Sequence, residues 1–301
     1  MGTIRDIGKK IYDLKNPREQ RRYLVFLCRA LLHRRELKEL ICFFQQDKLR
    51  NEIFSRQTFP IEQVTRAFFY NDSTFAERVK LVREHYEILQ SRLQPEAFVD
   101  LGDVEYRGFE LYTHDFEGRQ LRVFSKFGVG QRKEGLLSII MELDGEVLYQ
   151  IIFWLAKDKK GEEAVWIGAM QGPNMADARE IVKKMTKWCH GYRTKNLILY
   201  MLQAVVRTMG IRKIYAVSNY GYYANNHVRA DRKLKTNFGD FWIEAGGKET
   251  EDERFYELPL IEPRKTTEEV PTRKRAVYRR RFAFLDEVDA EIEQAVKNLL
   301  K

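Results

Sequence analysis

Paired cysteines, long apolar runs and the common catalytic signatures are what this chain lacks. Its 301 residues hold three cysteines, Cys28, Cys42 and Cys189, with no CxxC pair. An odd count set among apolar neighbours argues against a disulfide framework, excludes a zinc knot and indicates a reducing compartment. The longest strongly apolar, uncharged run is Val147 to Ala156, ten residues, about half of what a membrane-crossing helix needs. The first twenty residues carry no apolar core of the signal-peptide kind. A cytoplasmic protein is therefore expected. The five histidines show neither HxxxH nor HExxH spacing, so no metal is expected. A GxSxG elbow and a P-loop are absent as well.

Apolar and charged residues are plentiful. The chain is 44% hydrophobic and 13% aromatic, enough for a core and against intrinsic disorder. Fifty-three Lys and Arg against 44 Asp and Glu give a net charge of +9, which suggests an anionic partner without choosing one. The distribution says more than the total. Between Ile181 and Gly239 stand twelve basic residues and one acid, Asp231. That stretch includes Arg193, Lys195, Arg207, Lys213, Arg229, Arg232, Lys233 and Lys235. Its charge of +11 leaves the rest of the chain at -2. A solvated helix face accounts for many charge runs, but clustering of one sign implies an anion present some of the time.

Periodicity divides the chain into residues 1–95, 96–262 and 263–301. The first part reads as helices, with Leu24, Leu27, Cys28 and Leu31 on one face and Pro95 at its end. From about residue 108 the period becomes two. Glu117-Gly118 and Asp144-Gly145 are hairpin turns between the runs that they separate. Leu136–Leu143 and Val147–Ala156 read as central strands of an antiparallel meander, covered on both faces. After Gly172-Pro173 come two amphipathic helices, the short strand KIYAVS from Lys213 to Ser218, and a last strand from Phe255. Leu285, Val288, Ile292, Ala295 and Leu299 mark a docking helix or a coiled-coil seam. The fold class expected is α+β: a helical N-terminal part, then a mostly antiparallel central sheet flanked by helices.

The turn Gly191-Tyr192-Arg193-Thr194-Lys195 leads into the second of these helices. Unpaired N–H groups and the positive end of a helix dipole beside two cations make a seat for phosphate. An ordinary interhelical turn has the same sequence requirements. Several segments resemble the VirK/YbjX family of Gram-negative bacteria: RRYLVFLCRALLH (Arg21–His33), IGAMQGP (Ile167–Pro173), HGYRTKNL (His190–Leu197), AVSN (Ala216–Asn219), FWIEAGG (Phe241–Gly247), FYELPL (Phe255–Leu260) and PTRKRAVYRRRF (Pro271–Phe282). They run in family order over most of the chain. That resemblance implies an association with virulence and with resistance to antimicrobial peptides that attack the envelope, but no biochemical activity.

A more distant resemblance is to the cofactor half of GNAT acyltransferases, in which the turn before a helix holds the pyrophosphate of acyl-coenzyme A. It implies that Arg193, Thr194, Lys195 and Asn196 form the phosphate turn and that Ser218 and Asn219 end the second strand of the pair receiving the pantetheine arm. The chain departs from the family in having Arg-Thr-Lys where glycines are usual, and a helix between strand and turn. Gln171-Gly172 is the other choice of turn, with Met175–Cys189 as the cofactor helix.

Acyl transfer needs a base for the nucleophile and an acid for the leaving thiolate. Tyr220, Tyr222 and Tyr223 are candidates for the acid, near Asn219, and equally suit packing. Glu142 is a candidate base and equally a solvent-facing strand residue. Glu244 is a site carboxylate or a helix surface residue, His190 a helix cap and His114 a loop residue. The leading expectation is an acyltransferase using acyl-CoA or acyl carrier protein as donor and an amine or hydroxyl as acceptor. The other is a non-catalytic basic protein, peripheral at the inner membrane face, acting in an envelope-stress response. Arg21–Arg35, with Tyr23 and Phe26, would lie on an anionic membrane surface. Nucleic acid is not expected, since no recognition motif accompanies the charge.

Overall fold

The structure, a computed structural model of the chain, describes residues 2–103, 105–127, 133–225 and 237–301. Seven helices lead: α1 (Gly2–Ile11), α2 (Pro17–Leu32), α3 (Arg34–Gln45), α4 (Lys48–Arg56), α5 (Phe59–Val64), α6 (Phe75–Arg92) and α7 (Pro95–Leu101). Their starts are written locally. Asn16 caps α2 with Pro17 at its first position, Asp47 caps α4, and Thr74 with Glu77 forms a reciprocal capping box on α6. Pro95 opens α7 instead of ending the helical part, because a first-turn N–H has no intrahelical partner to lose. The residues that share a face of α2 by their period do so, but Phe26, expected on a membrane surface, turns inward from it. Leu24, Cys28 and Leu31 are exposed, while Phe26 and Ala30 are buried. Apolar residues occupy most of this helix, and the ring contact of Phe26 with Tyr12, centroids 5.8 Å apart, decides which arc faces inward.

The sheet follows as β1 (Phe109–Phe116), β2 (Arg119–Phe127), β3 (Leu137–Leu143), β4 (Glu146–Lys157) and β5 (Glu163–Gln171). After α8 (Ala178–Trp188) and α9 (Thr194–Thr208) it continues with β6 (Lys213–Val217), α10 (Phe238–Glu244), β7 (Lys248–Glu249) and β8 (Phe255–Leu258), and α11 (Arg275–Lys297) ends the chain. The strand order is β1-β2-β3-β4-β5-β6-β8-β7. All neighbours are antiparallel except β5 and β6. The fold is α+β with a mostly antiparallel sheet, as the period-two segments imply. Glu117-Gly118 and Asp144-Gly145 turn the hairpins with positive φ at both residues, 56° and 83° in the first and 51° and 83° in the second, the primed geometry that matches strand twist. His114 lies within β1, not in a loop.

Side-chain alternation along β4 separates the two faces of the sheet. Trp154 packs on Phe69 and Tyr70, so the even-numbered face meets the N-terminal part of the chain, at the connection between α5 and α6. Tyr149, on the odd-numbered face, meets Thr194 at the start of α9. Helix α9 is buried all round from Leu197 to Val206, as expected of a helix enclosed by sheet and helix. Its outer cover is α11, which buries Phe284, Leu285, Val288, Ile292 and Val296 and is a docking helix. The last residues return to the helical part: Gln94 N–H donates to the Leu299 carbonyl at 2.9 Å, and Lys301 N–H to that of Arg92 at 2.9 Å.

Two features of the sheet are under tight control. The Leu155 N–H, beyond the start of β3, donates at 3.0 Å to Nδ1 of the fully buried His85 of α6. Burial holds this imidazole neutral, its pKa lowered to about 3. The second feature is a bulge. Ile152 pairs with Ala169 and Phe153 with Ile167, so Gly168 is the extra residue of β5. A Cβ at Gly168 would lie 1.8 Å from the Glu134 carbonyl oxygen.

Between pH 6.5 and about 3 the unfolded chain binds a proton at His85 that the folded chain does not. Stability is therefore expected to fall with acidification across that window, by about 1.4 kcal/mol per pH unit from this group. The slope should shrink in His85→Gln, measured by urea unfolding at stepped pH. Gly168→Ala is expected to destabilise the protein by about 3 kcal/mol, since the overlap is with backbone; thermal and urea unfolding check this.

Candidate functional site

Residues 133–136 cross the even-numbered face of the sheet where β5 bulges. Gly135 and Gly168 permit the crossing, since a Cβ at Gly135 would lie 2.6 Å from the Phe153 carbonyl oxygen. The crossing buries the carboxylate of Glu134, only 3% exposed. Oε1 accepts from the Tyr222 hydroxyl at 3.1 Å, and Oε2 from the Lys133 N–H at 3.2 Å. Burial pushes the Glu134 carboxyl above its ordinary value, and the two hydrogen bonds oppose that rise. Burial and the neighbouring carboxylate both keep the Tyr222 phenol protonated. The ring of Tyr223 stands 4.8 Å from that of Tyr222, with the Lys133 ammonium 5.8 Å from its centre. Gln150, 6% exposed and on the same face of β4 as Trp154, has no partner for Nε2 among the described residues.

Tyr223 opens onto a groove between this crossing and the N-terminal helices. Three adjoining depressions of about 330, 710 and 330 Å³ share Arg66 and Tyr223. Seven cations line them among the described residues, Arg18, Arg21, Arg22, Arg29, Arg66, Arg78 and Lys133, against four carboxylates. Glu62 takes Arg66 at 2.6 Å and the Tyr12 hydroxyl at 2.9 Å. Arg29 and Arg78 have backbone partners instead, donating to the Thr65 and Val64 carbonyls at 2.9 Å each. Burial, and after it the charge of Arg29, lowers the Arg78 pKa to about 10. Two guanidiniums that repel each other in a groove favour negative charge between them.

The sequence-derived residues are spread over the sheet. Glu142 stands on β3, opposite Arg122. Two strands separate β3 from β6, so about 14 Å lies between Glu142 and the strand leading to the tyrosines. The structure does not bring them together. Tyr220 is 51% exposed, whereas Tyr223 is buried in the groove wall. Ser218 and Asn219 hold the turn after β6. Ser218 Oγ donates to the Glu253 carbonyl at 2.7 Å and accepts from Gly221 N–H at 2.9 Å, while Asn219 Oδ1 accepts from Phe238 N–H at 2.7 Å.

The two alternative phosphate turns meet at one ring. A Cβ on Gly172 would lie 3.5 Å from the Tyr149 ring, and the buried Thr194 hydroxyl approaches the Tyr149 phenol from α9. Gln171 and Gly172 are exposed, and Asn196 Oδ1 is buried with no partner among the described residues. Arg193 and Lys195 both grip Glu244 of α10, Lys195 at 3.0 Å, which holds that carboxyl below its ordinary value. Arg229, Asp231, Arg232, Lys233 and Lys235 lie outside the described residues.

Glu134 was not legible as a site residue. Its only sequence signal is a carboxylate between Lys133 and Gly135 just before an apolar strand. No cluster of His, Cys, Asp and Glu able to hold a metal occurs among the described residues, and no helix among them is long and apolar enough to cross a membrane.

Comparison with known proteins places this geometry in a family. The uncharacterized protein YbjX of Escherichia coli K12 is 25% identical over 278 residues, covering 89% of this chain and 81% of the relative. An uncharacterized protein of Haemophilus influenzae is 24% identical over 284 residues, 93% of this chain and 91% of its own length. A Mannheimia haemolytica protein named membrane protein LapB is 23% identical over 215 residues, 70% of this chain and 85% of the relative. The profile described as "Protein of unknown function (DUF535)" matches residues 15–294. That span includes the arginines of the groove, the whole sheet and most of α11, and the chain belongs to the DUF535 family, the VirK/YbjX family.

Proposed function

We propose that the protein is a GNAT-like acyltransferase, moving an acyl group from acyl-CoA or acyl carrier protein to an amine or hydroxyl acceptor. The observation that carries this reading is the buried Glu134 carboxylate beside the Gly168 bulge, where the parallel strands part. Strands β5 and β6 pair only from Ala164 to Ile167 and from Lys213 to Ala216. Beyond Ile167, β5 bulges and continues to Gln171 alongside β4 alone. An opening at the carboxyl ends of parallel strands is where ligands enter such sheets. Here it suits an extended thioester arm, with the phosphates towards Gln171–Gly172 and the start of α9 beside Tyr149.

Glu134 acts as the base. It takes the proton from the acceptor N–H or O–H as the new acyl bond forms and the acyl–sulfur bond breaks. A carboxyl raised by burial is a better base for this than an exposed one. Tyr222 positions the carboxylate, and Tyr223, at the groove wall, returns a proton to the leaving thiolate. The unpaired Nε2 of Gln150 supplies a donor for the carbonyl oxygen, where charge builds up. The other expectation, a non-catalytic protein at the membrane face, gives the buried Glu134 no role.

Thermal shift with acetyl-, decanoyl- and palmitoyl-CoA, with free coenzyme A as control, tests donor binding. A ligand at a hundredfold excess over its Kd is expected to add about 2.7 kcal/mol of stability, and the shift should depend on chain length. No shift with any acyl-CoA or with acyl carrier protein removes the proposal. Glu134→Gln is expected to keep donor binding and lose about 10²–10⁴-fold in turnover. In the wild type, turnover should fall on acidification through a pKa above the ordinary 4.5 of a glutamate. Arg193→Ala with Lys195→Ala should weaken donor binding. Glu244→Gln should strengthen it, by freeing both cations. Equal and unchanged affinities in these variants remove the α9 start from the donor site.

A further inference from the structure

We propose that α2 seats the protein on an anionic bilayer, with the arginine groove opening towards the lipid headgroups. Eight large hydrophobic side chains are conspicuously exposed among the described residues, and four of them, Leu24, Val25, Leu31 and Leu32, belong to this one helix. Their exposures run from 41% to 80%. At 100° per residue Leu24, Val25, Leu31 and Leu32 fall within one arc of about 120°, with Arg21 inside it and Arg18 at its edge. An apolar ridge on a folded surface costs free energy in water unless something covers it.

Charge complementarity identifies the cover. Arg18, Arg21 and Arg22 precede the ridge and Arg34 and Arg35 follow it, all exposed. A helix with an apolar face beside arginines lies in the plane of an anionic interface, burying the apolar side chains at the headgroup–acyl boundary. The same arginine-rich surface would repel a second copy of itself. Arg18, Arg21 and Val25 also line the largest depression of the groove, so the docked face and the mouth of the groove are continuous. A headgroup phosphate entering there meets Arg29 and Arg78, which have backbone rather than carboxylate partners.

The acceptor of the acyl group is then a lipid with an anionic headgroup. That clause rests on the acyltransferase reading, whereas the docking does not. Vesicle flotation without any acyl donor tests the docking alone. The protein is expected to float with phosphatidylcholine–phosphatidylglycerol vesicles (about 7:3) and not with phosphatidylcholine alone. Leu31→Glu with Leu32→Glu, both exposed, should keep the melting temperature and the donor-induced shift while weakening vesicle binding roughly tenfold or more. Arg18→Gln with Arg21→Gln should weaken it in the same sense. Absence of binding to the anionic vesicles overturns the proposal, as does undiminished binding of the leucine variant. It is equally overturned if sedimentation shows a dimer that this variant dissociates and the vesicles bind neither form. With docking established, an acyl-CoA that shifts the protein but is never discharged in the presence of the anionic vesicles overturns the lipid-acceptor clause alone.

Discussion

The close passage of two backbones at Gly168 is the constraint on which the rest of the site depends. A bulge adds a residue to β5, and glycine alone lets the Glu134 carbonyl come down on it. From this contact follow the burial of the Glu134 side chain and the nearby position of Tyr222. The same bulge marks the end of the pairing between β5 and β6. Sheet register and candidate chemistry are thus set by one steric relation, one residue long.

Charge is arranged differently in space and in sequence. In the strongly basic stretch between Ile181 and Gly239, four of the eight described cations have acids from elsewhere: Lys213 holds Asp158 at 2.7 Å, Arg207 binds Asp289, and Arg193 and Lys195 share Glu244. Exposed pairs of this kind contribute little to stability, but they offset part of what looked in sequence like a single basic face. The groove beside α2 keeps more of its positive charge, because carbonyl oxygens accept from Arg29 and Arg78 without cancelling them.

The hairpins, the central strands and α9 were legible because local chemistry decides them. Asp144-Gly145 demands its turn whatever surrounds it, and the apolar run of β4 is buried as such runs must be. Pro95 as an end of the helical part and Phe26 as a surface residue do not hold, because each depends on what packs nearby. Proline serves at a helix start as well as after a helix end, and a helix with leucines on most sides needs Tyr12 to choose among them. The site shows the same limit. Tyr223 could be singled out beside its strand, but Glu134 is 89 positions away in sequence, and no spacing rule links them. Glu142 was attractive for ending a strand, and its distance from β6 appears only once the strand order is known.

Helix α9 has a consequence for how the chain reaches this state. Its ten residues from Leu197 to Val206 are buried on every side, beneath β3 and β4 and under α11. Until α11 arrives, a strongly apolar surface faces water, and β6 has no place beside β5 before α9 completes the crossover between them. The parallel pair, and the opening beyond it, thus depend on contacts far apart in the chain, which slow assembly, and any state without α11 would leave this helix open to self-association. Docking of α11 therefore guards the protein against aggregation as well as completing its core.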